Sequence, residues 1–228
     1  MRIAELFRSK QGEGALTGTD SVFVRASGCN LRCWYCDTPY ASWDPEGDDL
    51  AVEEIVGRVE RFDCKHVVIT GGEPMLFAEL IPLCESLRAR GRHITIETAG
   101  TLYLPVACDL MSISPKTANS TPPKDRDPRW HARHQRNRHV PEVIRRLVDE
   151  YEYQFKFVID RPADCEEVEL YLDAFPQIDR DRVMLMPQGT VPTALAEKAA
   201  WLEPYCVEHG LRFCPRRQIE WFGLTRGT

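Results

Sequence analysis

The sequence predicts an α/β protein built on a mostly parallel sheet, on three observations. Short β-branched or apolar runs alternate with segments whose apolar residues recur every three or four positions, the pattern of βαβ units. The unusual residues cluster just after those runs, where parallel strands place their C-terminal ends on one rim. Finally, 228 residues with 43% apolar content suffice for one large α/β domain or two small ones.

Seven runs read as strands: Ser21–Arg25, His66–Thr70, His93–Thr98, Asp109–Ser114, Gln154–Ile159, Arg182–Met186 and Leu211–Cys214. Between them, Val52, Ile55, Val56 and Val59 mark one helix, and Leu80, Leu83, Cys84 and Leu87 a second that Gly91 stops. Val143, Ile144 and Leu147 mark a third, opened by Pro141. Asp164 and Glu167 have the spacing of a capping box ahead of Val168, Tyr171, Leu172 and Phe175. A longer helix runs from about Pro192 to His209 and closes at Gly210. An open doubly wound sheet and a barrel fit this alternation equally well. Residues 117–140 interrupt it with a proline-rich, then arginine-rich stretch. This stretch reads as a solvated loop or lid, or more sharply as a patch for phosphate or an acidic partner.

Composition narrows the class. No apolar run approaches the roughly 20 residues that cross a bilayer. Charges also occupy the positions where an export signal needs its apolar core, so a cytoplasmic location is expected. A net charge of −6 argues against a general nucleic-acid binder. Nine cysteines, an odd number without an export signal, argue against a disulfide framework. Six are scattered and read as small buried apolar residues. The other three, Cys29, Cys33 and Cys36, share the loop SGCNLRCWYCDTPY after the first expected strand. Three thiolates in one loop suit a 4Fe-4S cube with one iron open to a small molecule. A structural zinc site needs an unpaired fourth ligand from elsewhere and stays open as an alternative.

Cys29-x3-Cys33-x2-Cys36, with Tyr35 before the last cysteine, resembles the signature of the radical S-adenosylmethionine enzymes, and Gly71-Gly72-Glu73-Pro74 resembles their glycine-rich motif. The resemblance implies a partial, incomplete parallel β/α barrel with a cluster at its mouth. On that resemblance, S-adenosylmethionine would chelate the open iron there and yield a 5′-deoxyadenosyl radical that abstracts hydrogen from substrate. Glu5-Leu6-Phe7-Arg8-Ser9-Lys10-Gln11-Gly12-Glu13-Gly14 further resembles the N-terminal motif of the 7-carboxy-7-deazaguanine synthases. That likeness spans nearly the whole chain, as a single domain over 1–228 with a basic insertion at about 117–140. The implied activity contracts 6-carboxy-5,6,7,8-tetrahydropterin to 7-carboxy-7-deazaguanine with loss of ammonia, on the way to queuosine and other 7-deazapurines. Other readings are a different small radical enzyme, such as a glycyl-radical activase, or a non-enzymatic iron–sulfur protein.

Carried over by position, the resemblance implies that Lys10, Gln11, Gly12, Glu13, Arg25, Thr70 and Glu97 bind the pterin. Arg25 would take its carboxylate with a planar guanidinium. Tyr35, Cys36, Asp37, Gly72, Ser114, Pro115 and Lys116 would contact S-adenosylmethionine, as would Met186, Pro187, Gln188 and Gly189. Thr38 would ligate Mg²⁺, a hard ion suited to a hydroxyl. Two positions depart from the family pattern. Lys10 replaces an apolar residue, so its contact is expected through the backbone, and Ala99 replaces an asparagine. The chain ends in Trp221-Phe222-Gly223 and five further residues, so substrate contacts there do not carry over. A homodimer and an electron donor such as flavodoxin or ferredoxin are the implied partners, with no nucleic acid and no membrane.

Overall fold

The computed structural model describes residues 1–228. Nine strands form one sheet: β1 (Arg2–Lys10), β2 (Asp20–Ala26), β3 (Asp48–Asp49), β4 (His66–Gly71), β5 (His93–Thr98), β6 (Leu110–Ile113), β7 (Tyr153–Ile159), β8 (Val183–Pro187) and β9 (Arg212–Phe213). The helices are α1 (Pro39–Ser42), α2 (Val52–Val59), α3 (Leu80–Ala89), α4 (Pro128–Asn137), α5 (Pro141–Glu150), α6 (Ala163–Ala174), α7 (Pro192–Glu208) and α8 (Arg217–Phe222). The sheet order is β3-β1-β2-β4-β5-β6-β7-β8-β9. From β2 to β4 and onward to β9, every pairing is parallel. The parallel strands from β2 to β9 follow one another in chain order, so they have no switch point of the doubly wound kind; β3 returns to the far side of β1, and β3 and β9 are the two free edges of the sheet. The sheet is the open, incomplete form of a parallel barrel.

All seven expected strands are present, within a residue or two of their expected ends. β1 was not among them. Its charges, Arg2, Glu5, Arg8 and Lys10, follow no period-2 alternation, and pairing with β2 holds it extended. It runs antiparallel to β2, with Glu5 opposite Arg25 and Phe7 opposite Phe23. The two phenylalanine rings stack at 5.2 Å.

The helical stripes bury as their spacing requires: Ile55, Val56 and Val59 on α2, and Leu80, Leu83, Cys84 and Leu87 on α3. The main core has 39 buried residues. At one end, Phe157 on β7 meets Tyr171 of α6 at 5.2 Å, and Tyr171 meets Phe175 at 4.7 Å. Burying a side chain of this size contributes about 2–3 kcal/mol. The expected Asp164–Glu167 capping box does not form. Pro162 starts the helix early, so Asp164 lies in its first turn. Its carboxylate turns back to accept from Asp160 N, Arg161 N and Asn119 Nδ2. Glu167 instead takes Ala118 N and Arg138.

The solvated-loop reading of 117–140 is also corrected. Asp127 caps α4 by accepting from Trp130 N at 2.9 Å, with Pro128 in the first turn. His134, fully buried, faces the cysteine loop. Its Nδ1 accepts from the Arg32 amide at 3.1 Å, and its Nε2 lies 2.9 Å from Ser120 Oγ. Ser120 Oγ donates to Thr117 O at 2.6 Å. The imidazole is therefore neutral with its proton on Nε2. Trp34 adds two bonds, from its amide to Ser120 O and from its indole to Asn119 O. The segment is a buttress for the loop, and a single buried histidine among arginines leaves no periodicity to announce it.

Burial holds His134 down at about 4, with Arg138 and Lys116 adding to the effect. An unfolded histidine titrates near 6.5, so between pH 6.5 and 4 the unfolded chain binds the extra proton. Stability is therefore fully present above about 6.5 and falls by about 3 kcal/mol on acidification to 4. We predict that wild type loses more urea resistance than His134→Gln between pH 7.5 and 5. Parallel losses in the two proteins would refute it.

Candidate active site

The cysteine loop leaves the C-terminal end of β2 and is braced by the turn after β4. Gly72 N donates to Ala26 O at 3.0 Å, Glu73 N to Gly28 O at 2.8 Å, and Gly28 N to Ala41 O at 2.8 Å. A Cβ at position 72 would overlap the carbonyl oxygens of Gly28 and Ala41, so the approach requires glycine. Glu73 is fully buried. Its carboxylate accepts from Met75 N, Thr98 Oγ1 and Ala99 N, joining this turn to the end of β5. Burial pushes Glu73 up while these donors oppose the shift. Within the Gly-Gly-Glu-Pro motif, then, the glutamate is a structural tie.

Cys29, Cys33 and Cys36 are free thiols lining one cavity of about 190 Å³. Burial pushes Cys29 and Cys33 up to about 12. Leu31 N donates to Cys29 Sγ at 3.4 Å, and Ser42 Oγ lies 3.2 Å from Cys36 Sγ. Such contacts are among those that tune an iron–sulfur centre. No three thiol, imidazole or carboxylate groups converge at the spacing of a single metal ion. Three thiols spread around an open cavity, with no fourth ligand, fit a 4Fe-4S cluster with one accessible iron.

The same inner cavity is lined by Tyr35, Asp37, Thr38, Gly72, Ser114, Lys116, Met186 and Gln188. Of the residues expected to hold S-adenosylmethionine, only Pro115, Pro187 and Gly189 do not line it. Lys116 Nζ donates to Ser114 O at 2.5 Å and Ser114 Oγ at 2.7 Å. An outer cavity of about 260 Å³ takes all seven expected pterin positions: Lys10, Gln11, Gly12, Glu13, Arg25, Thr70 and Glu97. Thr38 lines both cavities, as do Glu13, Asp37, Thr70, Gly71, Glu97 and Arg216. Arg25 is not a surface residue. Its Nε donates to Glu5 Oε1 at 2.6 Å, and Glu5 also accepts from Tyr40 OH at 2.8 Å. Both Nη groups of Arg25 remain available to an anion in the cavity.

A buried charge cluster forms the wall between the cavities. Lys156, 3% exposed, projects from β7 and donates to Glu97 Oε1 at 2.6 Å and to Glu13 Oε2 at 3.1 Å. Thr70 Oγ1 donates to Glu97 Oε2 at 2.7 Å. Glu13 Oε1 also accepts from Gln218 Nε2 at 2.5 Å and Arg216 Nε at 3.2 Å, and Arg216 reaches on to Asp37. Burial alone would raise Glu13, but Lys156 and Arg216 outweigh it and hold the carboxyl at about 2. Burial likewise works against the Lys156 charge, and Glu97 and Glu13 keep it protonated. Sequence reasoning missed Lys156, Arg216 and Gln218. For Lys156 there was a signal: a lone lysine inside the buried run Tyr-Gln-Phe-Lys-Phe-Val-Ile requires a partner.

Comparison with known proteins agrees with this geometry. The Radical SAM superfamily profile matches residues 23–159. By fold, profile and cysteine site, the chain is a radical S-adenosylmethionine enzyme, and its cofactors are a 4Fe-4S cluster and S-adenosylmethionine. A 7-carboxy-7-deazaguanine synthase of Rhodopirellula baltica is 46% identical over 227 residues, covering 99% of this chain and 88% of its own. One from Halobacterium salinarum is 42% identical, covering 95% and 88%. The chain belongs to the 7-carboxy-7-deazaguanine synthase family. The crystal structure of QueE from Escherichia coli matches the fold with a TM-score of 0.72 at 23% identity, covering 95% of this chain and 93% of that one.

Removing the ammonium leaves Glu97 without its ion-pair partner and Glu13 with only part of its compensation, a change that costs about 3–5 kcal/mol in buried ion pairs. Lys156→Met should therefore lower the unfolding free energy of the apo-protein by about 3 kcal/mol. Loss of the exposed pair in Arg58→Ala should cost under about 1 kcal/mol. Equal urea midpoints for Lys156→Met and wild type would remove the structural role assigned to this cluster.

Proposed function

We propose that the outer cavity binds 6-carboxy-5,6,7,8-tetrahydropterin, the inner cavity binds S-adenosylmethionine, and the enzyme forms 7-carboxy-7-deazaguanine with release of ammonia. One observation carries this reading. All seven expected pterin positions line one cavity, which shares a wall with the cavity holding the three cysteines. The reaction requires substrate and cofactor in contact, and the shared wall supplies that.

Cys29, Cys33 and Cys36 would hold the cluster. The bound cluster and S-adenosylmethionine supply one-electron chemistry that removes a hydrogen atom from the substrate. The chain itself binds and orients. The free Nη groups of Arg25 suit a bidentate carboxylate, with Glu5 fixing the guanidinium plane through Nε. The carboxylate oxygens of Glu13 and Glu97 are hydrogen-bond acceptors and suit the N–H donors along a pterin edge. Gln11 is buried, and its amide donates to Ser21 Oγ at 2.9 Å, which fixes its orientation. Thr38 opens onto both cavities and is the proposed Mg²⁺ position beside the substrate carboxylate, with substrate and water oxygens completing the octahedron. Ser114 and Lys116 offer a hydroxyl and an ammonium to the cofactor. Phe222, Leu224 and Arg226 of the C-terminal segment line the outer cavity, and Arg226 stacks on Tyr40 at 3.6 Å. A homodimeric, cytoplasmic enzyme is the proposed setting, and no helix is long and apolar enough to cross a membrane.

The deciding experiment is anaerobic reconstitution with iron, sulfide and dithionite, followed by S-adenosylmethionine and 6-carboxytetrahydropterin. Ammonia and 7-carboxy-7-deazaguanine are expected in equal amounts, and 5′-deoxyadenosine without either product would exclude the pterin. Arg25→Ala should raise KM for the pterin roughly 10- to 100-fold, the loss of a charge-assisted hydrogen bond. An unchanged KM removes the carboxylate contact. Full activity after chelation of divalent metal removes the role of Thr38.

A further inference from the structure

The buttress beside the cysteine loop presents a strongly basic face on an acidic protein. Residues 121–140 carry six lysines and arginines against Asp125 and Asp127, in a chain of net charge −6. Asp127 is engaged as the α4 cap. Arg129, Arg133 and Arg136 are exposed and stand at i, i+4 and i+7, on one face of α4, with exposed Lys124 and Arg126 just ahead of it. Only Arg138 of this group has a carboxylate partner, Glu167 at 3.3 Å. Exposed arginines elsewhere commonly pair with a nearby acid, as in Arg58–Glu54, Arg146–Glu150 and Arg217–Glu220. An unneutralised row of like charge is repulsive within the fold and attractive to an acidic surface.

This face is continuous with the solvent side of the cysteine loop. Trp130 lies between Arg133 at 4.6 Å and Arg32 at 4.1 Å, and Arg32 directly precedes Cys33. Trp34, between Cys33 and Cys36, is 43% exposed. Arginine and tryptophan together are the residues enriched at interface centres. The chemistry also demands a visitor here. A cluster held by Cys29, Cys33 and Cys36 would need one electron from outside to supply its chemistry, and neither the chain nor a tetrahydropterin losing ammonia supplies it.

We propose that the α4 face, with Trp34 and Arg32, is the docking surface for a small acidic one-electron carrier protein, which is oxidised by one electron as the cluster is reduced. The inference rests on the radical-enzyme reading of the same loop. Electrostatic steering suits such a partner, because redox encounters are small, brief and salt-sensitive.

The test compares two electron sources on the reconstituted enzyme: dithionite, and a flavodoxin kept reduced by its NADPH-dependent reductase. Binding of flavodoxin is measured separately by titration calorimetry. In Arg129→Glu/Arg133→Glu/Arg136→Glu, the flavodoxin Kd and the flavodoxin-driven KM should each rise at least about tenfold at low salt, and their salt dependence should flatten. Dithionite-driven turnover should stay within about twofold. The milder Arg129→Gln/Arg136→Gln should show the same ordering, so misfolding of the triple variant does not decide the matter. Unchanged flavodoxin binding and rate overturn the proposal, as does a loss that dithionite shares equally in both variants. A face that binds a short polynucleotide through these arginines while flavodoxin binding is unaltered also overturns it. If wild type makes no 5′-deoxyadenosine with dithionite, the radical reading fails, and the calorimetric comparison still judges the surface.

Discussion

The architecture of the site depends on one buried ammonium. Taking Lys156 out of water costs several kcal/mol, and only closely placed carboxylates repay it. Glu97 on β5 and Glu13 ahead of β2 both meet it, so Lys156 holds two distant parts of the chain against β7. The network then spreads. Glu13 accepts from Arg216 across 203 positions, and Arg216 reaches Asp37 beside the last cluster cysteine. The N-terminal segment, the sheet, the C-terminal helix and the cysteine loop therefore share one set of charges. Each member is compensated only while the others stay in place, which makes the arrangement cooperative. The residues that hold it together are also those that stand between the two cavities, so the stability of the fold and the shape of the cavities draw on the same atoms.

The cysteine loop is held from two sides by different means. Toward the sheet, backbone meets backbone: Gly72 lets the turn after β4 come within hydrogen-bond distance of Gly28 and Ala26. Toward solvent, a neutral histidine and two tryptophan bonds attach the loop to residues 117–140. The inner side opens onto the two cavities. The outer side carries Trp34 and the arginine face of α4. These two supports hold the loop from opposite sides and leave its inner side open to the cavities.

Much of this was legible before folding. Alternating strands and helices, with every odd motif after a strand, implied one catalytic rim, because parallel strands all end on the same side. The spacing of Cys29, Cys33 and Cys36 pointed to a cluster with an open position. All seven pterin positions carried over by resemblance reached one cavity. What escaped was set by contacts between distant residues. β1 is a strand because β2 holds it. Pro162 displaced the capping box expected at Asp164. The 117–140 segment looked like loop because His134 is one buried residue among exposed arginines.

By itself, then, the sequence determined the secondary elements with strong apolar periodicity and the clustering of three thiols in one loop, since these depend on residue types at short, countable spacing, and its motifs implied the chemical class of the enzyme by resemblance. Only the tertiary structure decided that the parallel strands run in chain order as an open barrel and that Lys156, Arg216 and Gln218 converge on Glu13. Only it placed the basic segment against the cysteine loop. The reason is physical: a buried charge is stable only where its partners arrive from elsewhere in the chain, and no local pattern records where they come from.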